Sequence, residues 1–338
     1  MLLPYLTADN PSVNGVVRQE LADFAVDEIA AYDPSGSGDH LFVRFEKQGM
    51  TTPDAVKAIA RAIGCDPNAC GWAGLKDRHA ITTQWASFFQ GSADAALALD
   101  LPQLQVQAAI LHNHKLRTGH LRGNRFDIRI RHAGGDVDRI KDTINTLQHH
   151  GVPNYYGEQR FGVDNLSRAS RWLIQGEAPP RSRFERKFLV SVLQSAVFNA
   201  VLTERIEKKE FAIAIDGDLL QKETTGGLFT TTDLNEATTR MLNWEISPTG
   251  PMLGIKMRWP EREALAREQA IAEQWHIDDS VLRRFGSAGQ GTRRALRVAL
   301  IDPEVSLHPG DDSDVLLRFT LPAGAYATAV LREILKTG

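Results

Sequence analysis

The sequence predicts a protein that combines helices and strands in about two domains. The chain has 338 residues, and at about 150 residues per domain this length favours two domains. The opening third alternates segments of strand pattern with segments of helix pattern, whereas the chain beyond residue 152 is more helical. The C-terminal residues return to a strand followed by a helix. We therefore expect a first domain that is interrupted by an inserted one.

The opening third supplies the clearest elements. Strand composition covers residues 40–46, 81–90, 104–111 and 124–131. In the last of these, apolar side chains from Phe126 to Ile130 alternate with charged ones. A helix is predicted to begin at Thr52-Pro53-Asp54, a capping residue followed by proline and an acid, and to end at Gly64. A second amphipathic helix is predicted over residues 136–149.

The middle of the chain differs from both ends. Helix patterns cover residues 165–174, 186–209 and 262–275. Glycine, threonine and proline concentrate over residues 224–254, which predicts irregular structure or short strands. A strand over 315–321 and a helix to Lys336 follow, and such a pair often completes a sheet begun at the N-terminus. We expect one discontinuous domain, residues 1–151 and 305–338, with residues 152–304 inserted into it.

Composition excludes several classes of protein. Hydrophobic residues make up 42% and charged residues 24%, as in ordinary folded proteins, so collagen-like and mainly disordered chains are excluded. Two cysteines cannot form a disulfide framework, and Cys65 and Cys70 lack the second pair that a zinc site needs. Neither a membrane helix nor a signal peptide is expected, because Pro4 interrupts an N-terminus without basic residues. The expected compartment is the cytosol.

The loop Cys70–Trp85 carries the strongest chemical signal. Asp77 lies among Lys76, Arg78 and His79 in a segment punctuated by glycine. Nearby cations keep a carboxylate ionised, and an ionised carboxylate can act as a nucleophile or a base. The competing interpretation is a solvated turn with weak surface ion pairs.

Basic clusters are the second signal. The chain has a net charge of −3, which argues against coating of nucleic acid but allows a local basic groove. Residues 112–132 hold six Lys or Arg and four His, and further clusters lie at 181–187 and 283–297. Such density suits contact with phosphates. The residues that we expect to contact an RNA backbone are Lys115, Arg117, Arg122, Arg293 and Arg294.

Several segments together resemble the TruD family, tRNA pseudouridine synthase D. The segments are Asp23–Glu28, Ala73–Thr82, Arg122–Phe126, Pro153–Gly162, Ser195–Asn199 and Leu321–Thr328. They occur in family order and span nearly the whole chain. The resemblance implies an α+β fold: a pseudouridine synthase catalytic domain with a mixed, largely antiparallel sheet flanked by helices, and an inserted α/β TRUD domain.

The resemblance also implies an activity and its residues. The reaction is isomerisation of uridine 13 in tRNA, with no cofactor and no metal. Asp77 matches the catalytic aspartate, and Phe24, Phe126 and Tyr326 match active-site aromatic positions, although some members have Phe where this chain has Tyr326. Asn124 matches a residue that orients either Asp77 or the base. Arg18 and Lys76 are both candidates for the cation that faces Asp77.

Two other functions remain open at this point. The chain could be a non-catalytic RNA-binding protein on the same scaffold, or a hydrolase that releases the base from a nucleoside. The intact Asp77 favours an enzyme over a binder, and the second acid that a glycosidase usually needs is not found. We expect tRNA as the partner and a monomer without a protein partner. The sequence does not decide whether Asp77 attacks C1′ or removes a proton from C2′.

Overall fold

The computed structural model describes residues 3–337. They form two compact units. The sheet unit comprises Pro11–Ile144 and Leu300–Ala327, and the helical unit comprises the residues up to Asn10, Asn145–Ala299 and the residues from Thr328. The helical unit includes the residues up to Asn10 and those from Thr328, whereas the prediction placed both chain ends in the discontinuous domain. The assignment of residues 152–304 as an inserted TRUD domain remains a prediction.

The first part of the chain builds most of the sheet unit. Its elements are β1 (Phe24–Ala30), β2 (His40–Gln48), α1 (Thr52–Ala62), β3 (Gly71–Trp72), β4 (Ile81–Phe89), α2 (Ala93–Leu97), β5 (Asp100–Leu101), β6 (Leu104–His112), β7 (Leu121–Ile130) and α3 (Val137–His150). The N-cap of α1 is Thr51, one residue before the predicted cap Thr52, because the Thr51 side chain accepts the hydrogen bond from the Asp54 amide.

The middle part of the chain forms the helical unit. Its elements are β8 (Val152–Pro153), α4 (Glu158–Phe161), α5 (Asn165–Leu173), α6 (Arg183–Glu207), β9 (Leu220–Lys222), β10 (Leu228–Phe229), α7 (Leu234–Leu242), β11 (Ile246–Met252), α8 (Arg262–Gln274), α9 (Asp279–Phe285), β12 (Thr292–Ala295) and β13 (Arg297–Val298). Helices α4, α7 and α9 were not predicted from the sequence.

The last elements are β14 (Ile301–His308), β15 (Asp311–Pro322) and α10 (Ala327–Leu335). Strand β15 pairs with β7, so the terminal strand does return to the sheet that the N-terminal residues begin. From Thr328 onward, however, the final helix belongs to the helical unit.

One mixed sheet of nine strands organises the sheet unit. Eight strands follow the order β14-β15-β7-β1-β4-β2-β6-β5, and β3 pairs with β4. Only β1 and β4 run parallel, and the other pairs are antiparallel. A buried cluster from Leu41 to Leu104 packs α1 against this sheet. The predicted α+β class with a largely antiparallel sheet is confirmed.

Helix α6 is the centre of the helical unit. Its buried residues pack with residues of α5, α8, α9 and β11 in one extended apolar cluster. Its most apolar window is long enough to cross a membrane by length and composition, but 78% of that window is buried within the protein. Burial of this kind is typical of a core helix.

Candidate active site

Asp77 lies in the loop that joins β3 to β4, and its side chain is 47% exposed. The Arg18 guanidinium Nη2 donates to Asp77 Oδ2 across 2.6 Å. The other carboxylate oxygen, Oδ1, receives no hydrogen bond from any residue in the described range 3–337. One oxygen is therefore oriented by a cation, and the other remains available to a ligand.

Arg18 also contacts an aromatic ring. Its guanidinium carbon lies 4.0 Å from the centroid of the Phe24 ring, a cation–π distance. The backbone of Arg18 has φ of 62°, in the left-handed region that costs a non-glycine residue about 1–2 kcal/mol. This conformation is held by the surrounding contacts and aims the guanidinium at both partners. The structure thus places Arg18, Phe24 and Asp77 together.

Lys76 does not face Asp77, which corrects that alternative. Its Nζ lies 2.7 Å from Glu28 Oε2, and both side chains are buried. Glu28 uses its second oxygen, Oε1, to accept from the Trp85 amide. Breaking such a buried pair would leave an uncompensated charge. The buried ion pair of Lys76 therefore attaches the loop to β1, while the side chain of the next residue, Asp77, is half exposed.

Lys47 is a residue that the sequence analysis missed. It is fully buried on β2, and its Nζ donates to the main-chain oxygen of Asp77 at 2.8 Å. Burial lowers the pKa of Lys47 to about 8, against an opposing effect of the Asp77 charge, and Lys76 lowers it further. A signal was present in the sequence: Lys47 continues the alternation of Leu41, Val43 and Phe45, so it occupies an inward position.

A row of buried polar side chains continues from the loop. The Lys76 amide donates to Thr52 Oγ1 at 3.0 Å, and the Thr52 hydroxyl donates to Gln84 Oε1 at 3.2 Å. Among the described residues, buried Gln84 Nε2, Thr82 Oγ1 and Asn124 Oδ1 have no hydrogen-bond partner. Buried polar atoms without partners are rare in folded proteins, and they are candidates for contact with a ligand or water.

The predicted aromatic residues separate into two groups. Phe24 and Phe126 are only 2% and 6% exposed, with ring centroids 6.1 Å apart, and Phe126 lies 5.3 Å from the Phe319 ring. These rings pack as core residues in this structure. Tyr326 is 41% exposed on the loop before α10. Stacking of a base on Phe126 remains a prediction, and it requires the ring to become accessible.

The first basic cluster is only partly available to RNA. Arg117 and Arg122 are exposed, and Lys115 is half-buried. Two other arginines of residues 112–132 pair with buried acids: Arg129 contacts Asp314 and Arg131 contacts Asp23. Burial acts to raise the pKa of Asp23, but the hydrogen bond that Arg131 donates to the carboxylate outweighs it and the pKa is lowered. Sheet assembly therefore accounts for part of the charge that the sequence analysis assigned to phosphate contact.

The expectation for Arg293 is corrected by its burial, whereas Arg294 is half-buried and its contact with phosphate stays a prediction. Arg293 is 8% exposed, and its guanidinium forms a two-pronged ion pair with Glu268. Arg294 donates to Asn154 Oδ1 and lies over the Tyr156 ring. Arg297 of the same predicted cluster is 1% exposed. Arg293 and Arg297 therefore hold the core of the helical unit together and do not present a phosphate-binding surface.

The histidines of residues 112–132 have a structural explanation. Tyr32 stacks on His112 and its hydroxyl pairs with His120 Nδ1 at 2.7 Å. His112 Nδ1 accepts from the Ser35 amide, and its Nε2 lies 3.2 Å from His114 Nε2. Burial lowers the pKa of His112, so the neutral ring is favoured. Within the described range, no three histidine, cysteine or acidic residues are arranged to hold a metal ion.

Comparison with known proteins decides the family. A family model described as tRNA pseudouridine synthase D (TruD) matches residues 2–179 and 183–334. The chain belongs to the TruD family. Its enzymes are tRNA pseudouridine synthases, a class of isomerase. The relationship expected from the motifs Ala73–Thr82 and Pro153–Gly162 is thereby confirmed.

Individual members of the TruD family match over nearly the whole chain. A tRNA pseudouridine synthase D of Anaeromyxobacter dehalogenans is 44% identical over 99% of this chain and 96% of its own. One of Thermus thermophilus is 40% identical over 98% of this chain and 92% of its own. A putative TruD structure from Methanosarcina mazei superposes with a TM-score of 0.78 at 21% identity, over 99% of this chain and 96% of that one. That last likeness shows the shared fold.

Proposed function

We propose that this protein converts uridine 13 of tRNA to pseudouridine, with Asp77 as the carboxylate that acts on the sugar. The observation that carries the proposal is the ion pair of Arg18 with Asp77. In this chain of the TruD family, the ion pair orients a half-exposed carboxylate. The loop that carries it is held by the buried contacts of Lys76 and Lys47. We further propose that the protein acts in the cytosol as a monomer, without metal or cofactor.

The reaction balances without a co-reactant. The bond from N1 to C1′ breaks, uracil leaves with the electron pair and turns over, and C5 forms the new bond to C1′. A base then takes the proton from C5, and N1 gains a proton. Asp77 either adds to C1′ and is displaced later, or removes a proton from C2′ and returns it. Both routes need an ionised carboxylate with one accessible oxygen. Because Arg18 contacts Oδ2, the accessible oxygen is Oδ1.

Asn124 supports the choice of uracil as the base. It lies opposite Glu28 in the pairing of β7 with β1, and its buried Oδ1 has no partner among the described residues. A carbonyl oxygen accepts a hydrogen bond, and uracil carries a donor at N3 whereas neutral cytosine does not. An unpartnered buried acceptor of this kind discriminates strongly against a base that lacks the donor.

The target uridine must leave its stack to reach the site, as in other enzymes that act on bases. Tyr326, which is 41% exposed, offers a ring surface for the flipped base, whereas the Phe24 ring is buried. The Phe24 ring is covered by Arg18 in this structure, so stacking of uracil on it requires Arg18 to move from the ring. A desolvated cation–π contact is worth about 2 kcal/mol, which lies within the range of about 1–3 kcal/mol that base stacking supplies.

The test uses tRNA carrying tritium at C5 of uridine, together with mapping of pseudouridine. We expect tritium release and pseudouridine at position 13. Asp77→Asn lowers turnover at least about 100-fold while tRNA affinity is kept. Asp27→Asn is the matched control, because Asp27 is 39% exposed and pairs with Arg44 at 2.7 Å.

The products separate the alternatives. Unchanged RNA would support a binding protein, and free uracil would support a hydrolase. Normal turnover of the Asp77→Asn variant would refute the role of Asp77, and pseudouridine at another position would refute the proposed target.

A further inference from the structure

A basic groove lies in the helical unit, where it brings residues of the 181–187 cluster together with Arg284. It has a volume of about 810 Å³ and is bounded by the start of α6 and by the residues that follow α9. The cationic residues that line it are Arg181, Arg183, Arg186, Lys187 and Arg284. None of the lining residues is acidic. The chain as a whole has a net charge of −3, so this concentration of positive charge is local.

The cations of the basic groove form no ion pairs within the protein. Across residues 3–337, none of the five lies within ion-pair distance of a carboxylate. The acids nearest in sequence to the cations of residues 181–187 are already engaged, because Glu185 pairs with Arg168 and Glu177 pairs with Arg171. Unpaired cations that converge on a concave surface favour an anionic ligand with several charges.

An exposed aromatic residue stands among these cations. Phe184 is 81% exposed although it lies on α6, whose later residues form the core. It is flanked in sequence by Arg183 and Glu185 and lines the same groove. Isolated exposed apolar residues are common and need no explanation. A ring beside several unpaired cations, however, is the combination by which proteins bind single-stranded nucleic acid, with bases stacked on rings and phosphates held by cations.

We propose that the basic groove is a tRNA-binding subsite that holds a stretch of phosphate backbone and stacks one unpaired base on Phe184. The proposal rests on the proposed function, which makes tRNA the substrate. It deepens that function by assigning tRNA binding to the helical unit as well as to the unit that carries Asp77. Arg284 is fixed by its hydrogen bonds to the carbonyls of Leu173 and Ile174, and thus provides a rigid wall.

The salt dependence of tRNA affinity tests the phosphate contacts. Each phosphate contact contributes about 0.7–0.9 to the slope of log affinity against log salt. Combined replacement of Arg181, Arg183 and Lys187 by Ala should lower that slope by about 2 and weaken binding about 10- to 100-fold at 0.1 M salt. The loss should appear in affinity and KM more than in turnover at saturating tRNA, because a backbone contact remote from the reacting atoms binds the ground state and the transition state alike.

Two further variants complete the test. Phe184→Ala should weaken binding roughly 5- to 100-fold with the slope unchanged, because stacking releases no counterions. The matched control replaces Lys208, Lys209 and Lys256 by Ala, three exposed lysines of the same unit outside the basic groove. It should leave both slope and affinity near those of the unchanged protein.

The outcomes distinguish this proposal from the proposed function. If the unchanged protein modifies tRNA and the groove variants bind it with normal affinity and slope, the subsite is refuted and the function stands. An equal loss in the control variant also refutes the subsite, because net charge would then explain the effect. If the unchanged protein neither binds nor modifies tRNA, the proposed function itself fails.

Discussion

Replacement of Lys47 by Met tests how the loop of Asp77 is held. In the folded protein the pKa of Lys47 is lowered to about 8, chiefly by burial, from 10.5 in the unfolded chain. Asp77 and Lys76 are the charged groups that act on it, in opposite directions. Between these two pH values the unfolded chain still binds a proton that the folded protein has released. The free energy of unfolding should therefore rise with pH across this window, by up to about 3 kcal/mol.

The comparison with Lys47→Met isolates this effect. The titration of all other groups cancels in the difference between the two proteins, because the variant lacks only this ammonium group. We expect the unfolding free energy of the unchanged protein, relative to the variant, to be constant below pH 8 and to increase from pH 8 to 10.5. Urea unfolding at a series of pH values measures it. Lys57→Met, an exposed lysine on α1, is the control and should show no such increase.

The same variant reports on function. Without the hydrogen bond from Lys47, the Asp77 carbonyl loses its buried partner and the loop its position. A displacement of about 1 Å at a reacting group can cost about 100-fold in rate, so turnover should fall at least about tenfold at pH 7. A pH-independent stability difference, or a Lys47→Met variant with normal turnover, would refute the reasoning.

Three further predictions concern neighbouring contacts. Lys76→Met should lower the free energy of unfolding, measured with urea, by about 3–5 kcal/mol, because buried Glu28 loses its partner. Adding Glu28→Gln should recover part of the loss. A double variant whose effects simply add would contradict this. Arg18→Ala should lower single-turnover rates at nearly unchanged stability, since its pair with Asp77 is half exposed, and Arg18→Lys should restore part of the rate. Phe126→Leu should lower stability by about 1–2 kcal/mol, because the ring is packed in the core; a normal melting temperature with a 10- to 100-fold slower rate would instead indicate stacking on the base.

Local patterns in the sequence were sufficient for most of the sheet unit. Alternation of apolar and charged residues predicted β7, and its inward residues Phe126 and Ile128 are indeed buried. Helix α7 was missed because it lies in a stretch rich in threonine and glycine. Its start was nevertheless encoded, since the Asp233 side chain caps the Glu236 amide. Short helices of this kind depend more on their caps than on apolar periodicity.

Whether an arginine is exposed or buried could not be predicted from local sequence patterns in the same way. The sequence shows that Arg293 and Arg297 are charged, but burial is decided by partners far along the chain. Glu268 on α8 neutralises Arg293. The guanidinium of Arg297 donates to the main-chain oxygens of His150 and Ile246 and lies over the Trp244 ring. These buried arginines resemble a phosphate-binding cluster in sequence alone. Four of the exposed cations of the basic groove lie in the cluster at 181–187, whereas Arg284 belongs to the same cluster as the buried arginines, and neither cluster had the stronger signal in the sequence.

The loop of Asp77 shows why adjacency in sequence misleads at the site itself. Lys76 is adjacent to Asp77 along the chain, yet its side chain is buried against Glu28, while Asp77 is half exposed and pairs with Arg18, which lies 59 residues earlier. Two neighbouring residues thus serve two different purposes. The inward contacts of Lys76 and Lys47 hold the backbone, so that the carboxylate of Asp77 need not contribute to stability. A carboxylate free of that requirement can exchange Arg18 for a substrate without loosening the loop, and this is the arrangement that a reacting group needs.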